Sequence, residues 1–252
     1  MIFLILTFRP CRKHLCQNFE SVRGYRVNVA ETEQSLLAER AYDALIGALR
    51  AGQPASGAFL SMPALVAQLG LPIAAVRDAV KRAEAQGLVS ILPKRGVLVM
   101  DAGPETTREC LDLRAMFDVE GVRRLVAAGQ ALPLADLRAA HEAVLRAARS
   151  GGAPDLPKRA METDLSLHDA MATGLGSGLA ASLYAQNRNR VAIIQNTRPF
   201  LADRIVSAME EHLAIIDAIA AGDAERAATA IRAHLDATLR WWGVGYSVSG
   251  LH

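Results

Sequence analysis

Between Ser61 and Met100 the sequence is punctuated so closely that few folds remain open to it. Ser61 is a good N-cap, Pro63 is tolerated in a first turn, and Gly70 suits the left-handed step that ends a helix. A short helix is therefore expected over 61–70. A second is expected from Pro72 to Gln86, where Val76, Ala79, Val80 and Ala83 recur at three-and-four spacing before Gly87 ends it. Two apolar runs follow, Leu88–Leu92 and Val97–Met100, around Pro93-Lys94-Arg95-Gly96, which reads as a hairpin with a cationic tip. Helix, tight turn, second helix and basic-tipped hairpin make a winged helix-turn-helix, an arrangement that places its second helix in a DNA major groove.

The flanking sequence builds on this stretch. Glu33–Ala51 is expected to be an amphipathic helix, with Leu37, Ala41, Leu45 and Leu49 on one face, Ile46 beside them and Gly52 closing it. A turn at 53–57 leads to Phe59-Leu60. Residues 33–100 thus form one domain, and Asp101-Ala102-Gly103-Pro104 reads as a linker. Beyond it, helices are expected at Glu105–Gly129, Leu134–Arg149, Leu156–Thr173, Leu179–Asn196, Ala202–Ala221 and Ala224–Trp242, divided by Gly and Pro clusters. Six helices with short connections imply an antiparallel bundle over 105–242, in a chain that is mainly α, with 243–252 as a tail. The 51% apolar content supplies a core for both domains, and the 5% aromatic content fits helices. The net charge of +2 argues neither for nor against nucleic acid. From Leu36 to Met100, however, seven basic residues face four acidic ones, which is compatible with phosphate contact.

Residues 1–32 lack periodicity and are expected to be a disordered tail. Their apolar start, Met1–Phe8, is too short to cross a bilayer and lacks the flanks of a signal peptide, so no membrane association is expected. Three cysteines form no paired framework, which fits a reducing, cytoplasmic setting, and Cys11, His14 and Cys16 are too few ligands for a zinc site.

In the bundle, Asp164 and His168 lie four apart and project from one helix face, while His212 and His234 lie on the last two helices. Three imidazoles and a carboxylate suit Zn²⁺, Ni²⁺, Mn²⁺ or Fe²⁺. Spacing alone leaves a hydrogen-bonded Asp164–His168 pair as an equal alternative. His141 fits no pattern and reads as a surface residue, and Trp241-Trp242 as packing at the bundle end or a dimer contact. A metal-dependent hydrolase would use such a site to activate water. No motif places a further base or nucleophile, so an enzyme is not expected.

The ordered set Asp164-x-x-x-His168, Glu211-His212-Leu213, Arg232-Ala233-His234-Leu235 and Ala218-Ile219-Ala220-Ala221-Gly222-Asp223 resembles the GntR superfamily of bacterial transcription regulators, in its FadR-like branch with an FCD effector domain. Leu113-Arg114 with Val119-Glu120 resembles that family's helix opening. The resemblance implies a metal held by Asp164, His168, His212 and His234, and a small carboxylate effector gripped by Arg114, whose other reading is an ion pair with Asp118. Arg188 and Arg190 are further candidates for the cavity. It also implies a homodimer on operator DNA, acting as a repressor.

The recognition helix departs from the family's S-R-x-P-V-R opening. Here the segment is Pro72-Ile73-Ala74-Ala75-Val76-Arg77, with Ile73 where an arginine is common. Arg77 on the helix and Lys94 and Arg95 on the wing remain the cationic DNA-binding candidates, while Ile73 and Ala74 suit thymine methyl groups. Lys81 and Arg82 read as a solvated face. A family member that binds metabolite but grips DNA weakly is the alternative.

Overall fold

The structure, a computed structural model, describes residues 29–151, 153–198 and 201–244. The expectations for the first 28 residues, including Cys11, His14 and Cys16, and for the tail beyond Val244 lie outside the described residues.

The N-terminal domain opens with α1 (Val29–Arg50), which starts earlier than its periodicity suggests, and continues with β1 (Phe59–Leu60), α2 (Met62–Leu69), α3 (Ile73–Ala85), β2 (Val89–Leu92) and β3 (Gly96–Val99). Ser61 caps α2 as expected, its hydroxyl accepting from the Ala64 amide at 3.3 Å. The axes of α2 and α3 are bent by 106°, as in a helix-turn-helix. Phe59–Leu60, which the sequence places only after a turn, is a strand. It pairs antiparallel with β3, giving the sheet order β1-β3-β2 with Phe59 and Ser90 both opposite Leu98. Gly96 makes that third strand possible. Its φ is 143°, and a Cβ there would lie 2.2 Å from the Leu60 carbonyl oxygen.

Leu45, Leu49, Leu65, Val76, Val80, Leu88 and Val97 close the core of this domain, and it takes in one residue from the second domain, Ile193. That domain comprises α4 (Pro104–Ala127), α5 (Leu134–Arg149), α6 (Leu156–Ala172) with a 3₁₀ turn at Thr173–Leu175, α7 (Gly178–Asn196), α8 (Ala202–Ala220) and α9 (Ala224–Trp241). Leu167, Met171, Ile215, Ile216, Ile219 and Ile231 fill its largest apolar cluster. The expected linker is anchored: Ala102 is buried, and its carbonyl accepts from Thr107 Oγ1 at 3.1 Å and from Arg198 at 3.0 Å. Trp242 packs against the apolar group around Cys110 and Leu111, whereas Trp241 is exposed. Among the described residues no single helix is long and apolar enough to cross a membrane.

Backbones touch where α4 meets the end of α6. A Cβ on Gly121 would lie 2.2 Å from the Met171 carbonyl oxygen, and one on Gly174 would lie 2.1 Å from that of Gly121. Both helices must therefore separate to admit even a methyl group. Gly121→Ala is expected to lower unfolding free energy by about 1–3 kcal/mol, read as a fall in urea midpoint at unchanged m. An unchanged midpoint would show that the contact is not tight.

Candidate functional site

Five helices send polar side chains to one buried point in the bundle. Helix α6 supplies Asp164 and His168, α8 supplies His212, and α9 supplies His234; one ligand atom from each lies within 4.8 Å of all the others. His212 Nε2 is 3.4 Å from Asp164 Oδ1 and 3.3 Å from His234 Nε2, and His168 Nε2 is 3.9 Å from the same carboxylate oxygen. Helix α4 adds Arg114 and Asp118, and α7 adds Gln195. All seven side chains are buried.

The two oxygens of Asp164 are divided. Oδ2 accepts from Arg114 and from Gln195, each at 2.8 Å, which leaves Oδ1 facing the imidazoles. Arg114 also stands 4.0 Å from Asp118, so the alternative partner read from the sequence is present but is the more distant one. Burial opposes ionisation of Asp164, but the Arg114 guanidinium and the surrounding imidazoles outweigh it and hold the carboxyl well below the usual carboxylate range.

Two of the imidazoles are oriented from behind. Asp118 Oδ2 lies 2.6 Å from His168 Nδ1, and Glu211 Oε2 lies 2.6 Å from His234 Nδ1. A carboxylate accepts the Nδ1 proton in each case and leaves Nε2 as the free lone pair. Arg204 in turn donates to Glu211 at 2.8 Å and to Thr238 at 2.7 Å. Burial pushes His212 well below the ordinary imidazole pKa, with His234 reinforcing the shift. It also lowers His234, against the opposing bond from Glu211. Both effects favour the neutral, ligating form. His168 Nε2 is buried with no hydrogen-bond partner among the described residues. Neutral imidazoles oriented by carboxylates, one ionised carboxylate and an orphaned nitrogen are what a divalent transition metal requires, so the residues present fit one.

The remaining candidates fall elsewhere. Arg188 is bonded to Asp169, through contacts of 2.5 and 2.7 Å, and not to any of the four clustered residues. Arg190 donates to the Gln86 carbonyl, at the junction with the first domain. His141 is not a surface residue: it is fully buried, with its ring centroid 5.2 Å from that of His212. Burial lowers its pKa as well, against the bond to the Leu137 carbonyl. Sequence reasoning missed Gln195 entirely and gave Asp118 and Glu211 no role towards the histidines. For Asp118 the signal was its four-residue spacing from Arg114. For Glu211 it was adjacency to His212, which points it away from that ring and towards the next helix.

In the N-terminal domain Ile73, Ala74 and Arg77 are exposed on α3, and Lys94 and Arg95 are exposed at the wing tip, with Lys94 at a φ of 61°. Lys81 is solvated as expected. Arg82 is partly exposed as well, and its guanidinium also reaches Glu39 at 2.8 Å and covers the Tyr42 ring at 3.9 Å, which ties α3 to α1.

Residues 109–237 match the FCD domain, and residues 37–99 match the family of bacterial regulatory proteins, gntR family. No curated protein sequence matches the chain. Among solved structures, E. coli McbR/YncC superposes with a TM-score of 0.65 at 20% identity, over 84% of this chain and 99% of that one. A transcriptional regulator GntR from Rhodococcus sp. RHA1 superposes with a TM-score of 0.64 at 23% identity, over 85% and 99%. At such identities the likeness is one of fold.

Removing Arg114 would leave a buried carboxylate without its cation. Arg114→Ala is expected to cost about 3–5 kcal/mol of stability in chelator-treated protein. Urea unfolding measures it, and a loss below about 1 kcal/mol would mean that the pair does not hold the bundle together.

Proposed function

Because the chain belongs to the gntR family of bacterial regulatory proteins and carries that family's FCD domain, we propose that it is a cytoplasmic, dimeric transcription repressor whose bundle senses a small organic acid beside a divalent metal. The observation that carries this reading is the buried cluster of Asp164, His168, His212 and His234 next to Arg114, in the same chain as an exposed recognition helix. Zn²⁺, Ni²⁺, Mn²⁺ and Fe²⁺ all suit three nitrogens and one oxygen. The cation supplies a Lewis-acidic anchor for a carboxylate oxygen.

Charge favours an anionic effector. By formal charge, Asp118, Asp164 and Glu211 face Arg114 and Arg204, so a divalent cation leaves the buried cluster with one net positive charge. Burial makes that charge costly until an anion neutralises it. Arg114 is the guanidinium placed to engage a carboxylate bidentately, exchanging part of its contact with Asp164.

Size favours a switch. The cleft beside Arg114, His168 and His234, between α4 and α9, measures about 10 Å³, room for about one water molecule. An organic acid needs more room than that, which a displacement of α4 or α9 would provide, and α4 follows directly on Ala102, whose amide donates to Ser56 of the first domain. An effector that prefers the displaced arrangement moves the two DNA-binding domains relative to each other. Each domain of the dimer addresses one half-site, with Ile73, Ala74 and Arg77 in the major groove and Lys94 and Arg95 on phosphate or the minor groove.

A second reading has its own observation. Ile73 is an exposed apolar residue where a basic one would add phosphate affinity. A chain that senses metabolite yet grips DNA weakly would share every feature of the bundle.

Fluorescence anisotropy with DNA from upstream of its own gene separates the two. A salt-sensitive, sequence-specific complex is expected, altered by organic acids, and Arg77→Ala should lower both its affinity and its salt slope by about one phosphate contact. No such complex under any condition would overturn the repressor reading. His212→Ala and His234→Ala are each expected to abolish bound metal in elemental analysis. Unchanged stoichiometry would remove the metal.

A further inference from the structure

The metal reading leaves one pair of buried atoms without a purpose, and the role assigned to them here rests on that reading. A ring that offers Nε2 to a cation keeps its proton on Nδ1, and that proton needs an acceptor. In His168 and His234 the acceptors are Asp118 and Glu211, both at 2.6 Å. In His212, Nδ1 is buried and has no partner among the described residues.

Beside His212 stands His141, from α5. Its Nδ1 lies 2.6 Å from the Leu137 carbonyl oxygen, one turn back on the same helix. A carbonyl only accepts, so Nδ1 carries the proton and Nε2 of the neutral ring keeps its lone pair. That Nε2 is also buried and also unpartnered among the described residues. The two rings meet edge to face, with centroids 5.2 Å apart and planes at 76°. A donor without an acceptor therefore neighbours an acceptor without a donor. Leaving two such buried atoms unpaired would be costly.

We propose that His141 is the positioning residue of His212: its Nε2 accepts the His212 Nδ1–H and fixes that ring with Nε2 turned towards the metal. The pairing requires one ring to turn from the edge-to-face arrangement seen, in which neither nitrogen has a partner. The third acceptor is neutral where the other two are carboxylates, and the difference matters for charge. A third carboxylate in this place would cancel the single positive charge that the cation leaves in the cluster. An imidazole orients the ligand and keeps that charge for an anionic effector.

The experiment compares full-length native protein with His141→Phe, which keeps a ring but has no acceptor, and His141→Gln, which restores one. Zinc affinity is read by chelator competition, and ligand geometry by the visible absorption of the cobalt-substituted protein. His141→Phe is expected to bind zinc about 10–100-fold more weakly and to shift the cobalt bands, with helical circular dichroism retained. His141→Gln is expected to recover most of both. If the Phe variant does not fold, His141→Met takes its place as the apolar member of the comparison. Unchanged affinity and spectrum in the apolar variant would overturn the proposal, as would equal weakening in the Gln variant, which would mark His141 as packing alone. A native chain that binds no divalent cation would overturn the metal reading itself, an outcome distinct from these.

Discussion

A single ionised carboxylate joins most of the second domain together. Asp164 is 6% exposed, and a charge that deep is tolerated only when every lone pair is used. Arg114 from α4 and Gln195 from α7 take one oxygen, while His212 from α8 and His168 from its own helix α6 face the other. Four helices are thereby fixed around two oxygen atoms. The fifth, α9, enters through His234 and the Glu211–Arg204–Thr238 bonds behind it. Apolar packing elsewhere in the bundle is interchangeable in kind, but this set is not: its charged members pair with one another across helix interfaces, so shifting one helix separates buried opposite charges.

The same economy explains why the clustered residues and their supports sit at helical spacings. Arg114 and Asp118 are one turn apart, and so are Asp164 and His168. One face of α4 thus carries both the cation that holds Asp164 and the anion that orients His168. Displacing α4 would therefore disturb Asp164 and the support of His168 in one movement.

That spacing is also why part of the site was legible in the sequence. Helix boundaries followed from caps and glycines, and the fold class from six periodic segments. The four clustered residues followed from Asp164-x-x-x-His168 together with the resemblance of the later motifs to the gntR family. What the period cannot give is the partner across a helix interface. For Arg114 the sequence offers Asp118 or an effector, and its nearest partner is Asp164, fifty residues away. His141 lies in register with Leu137, Val144, Leu145 and Ala148, the buried stripe of its own helix, a sign that the reading of it as a surface residue passed over; which ring it meets is set by the packing of α5 against α8. Phe59–Leu60 is too short for alternation to register, and its strand exists because Gly96 lets the chain come close. Arg188 carried no sign of Asp169, because that pairing depends on how α6 and α7 meet.

Helix α7 looks the least amphipathic of the bundle, and the structure gives the reason. Its residues serve three partners in three stripes. Asn187, Val191 and Ile194 face α4, with Asn187 donating to the Cys110 carbonyl at 2.9 Å. Tyr184, Arg188 and Gln195 face α6, on Asp169 and Asp164. Asn189, Ile193 and Asn196 face the first domain: Asn189 accepts from Arg50, Asn196 donates to the Arg50 carbonyl, and Ile193 enters the core beneath the recognition helix. Apolar and polar residues therefore spread around the whole circumference, and no single hydrophobic face emerges. Gln195 and Asn196 are adjacent in sequence, one bonded to the clustered carboxylate and the other to the last turn of α1. A rigid helix cannot shift at one of these residues while staying still at the other. Helix α7 thus ties the carboxylate cluster to the base of the first domain, as the start of α4 does from the other side.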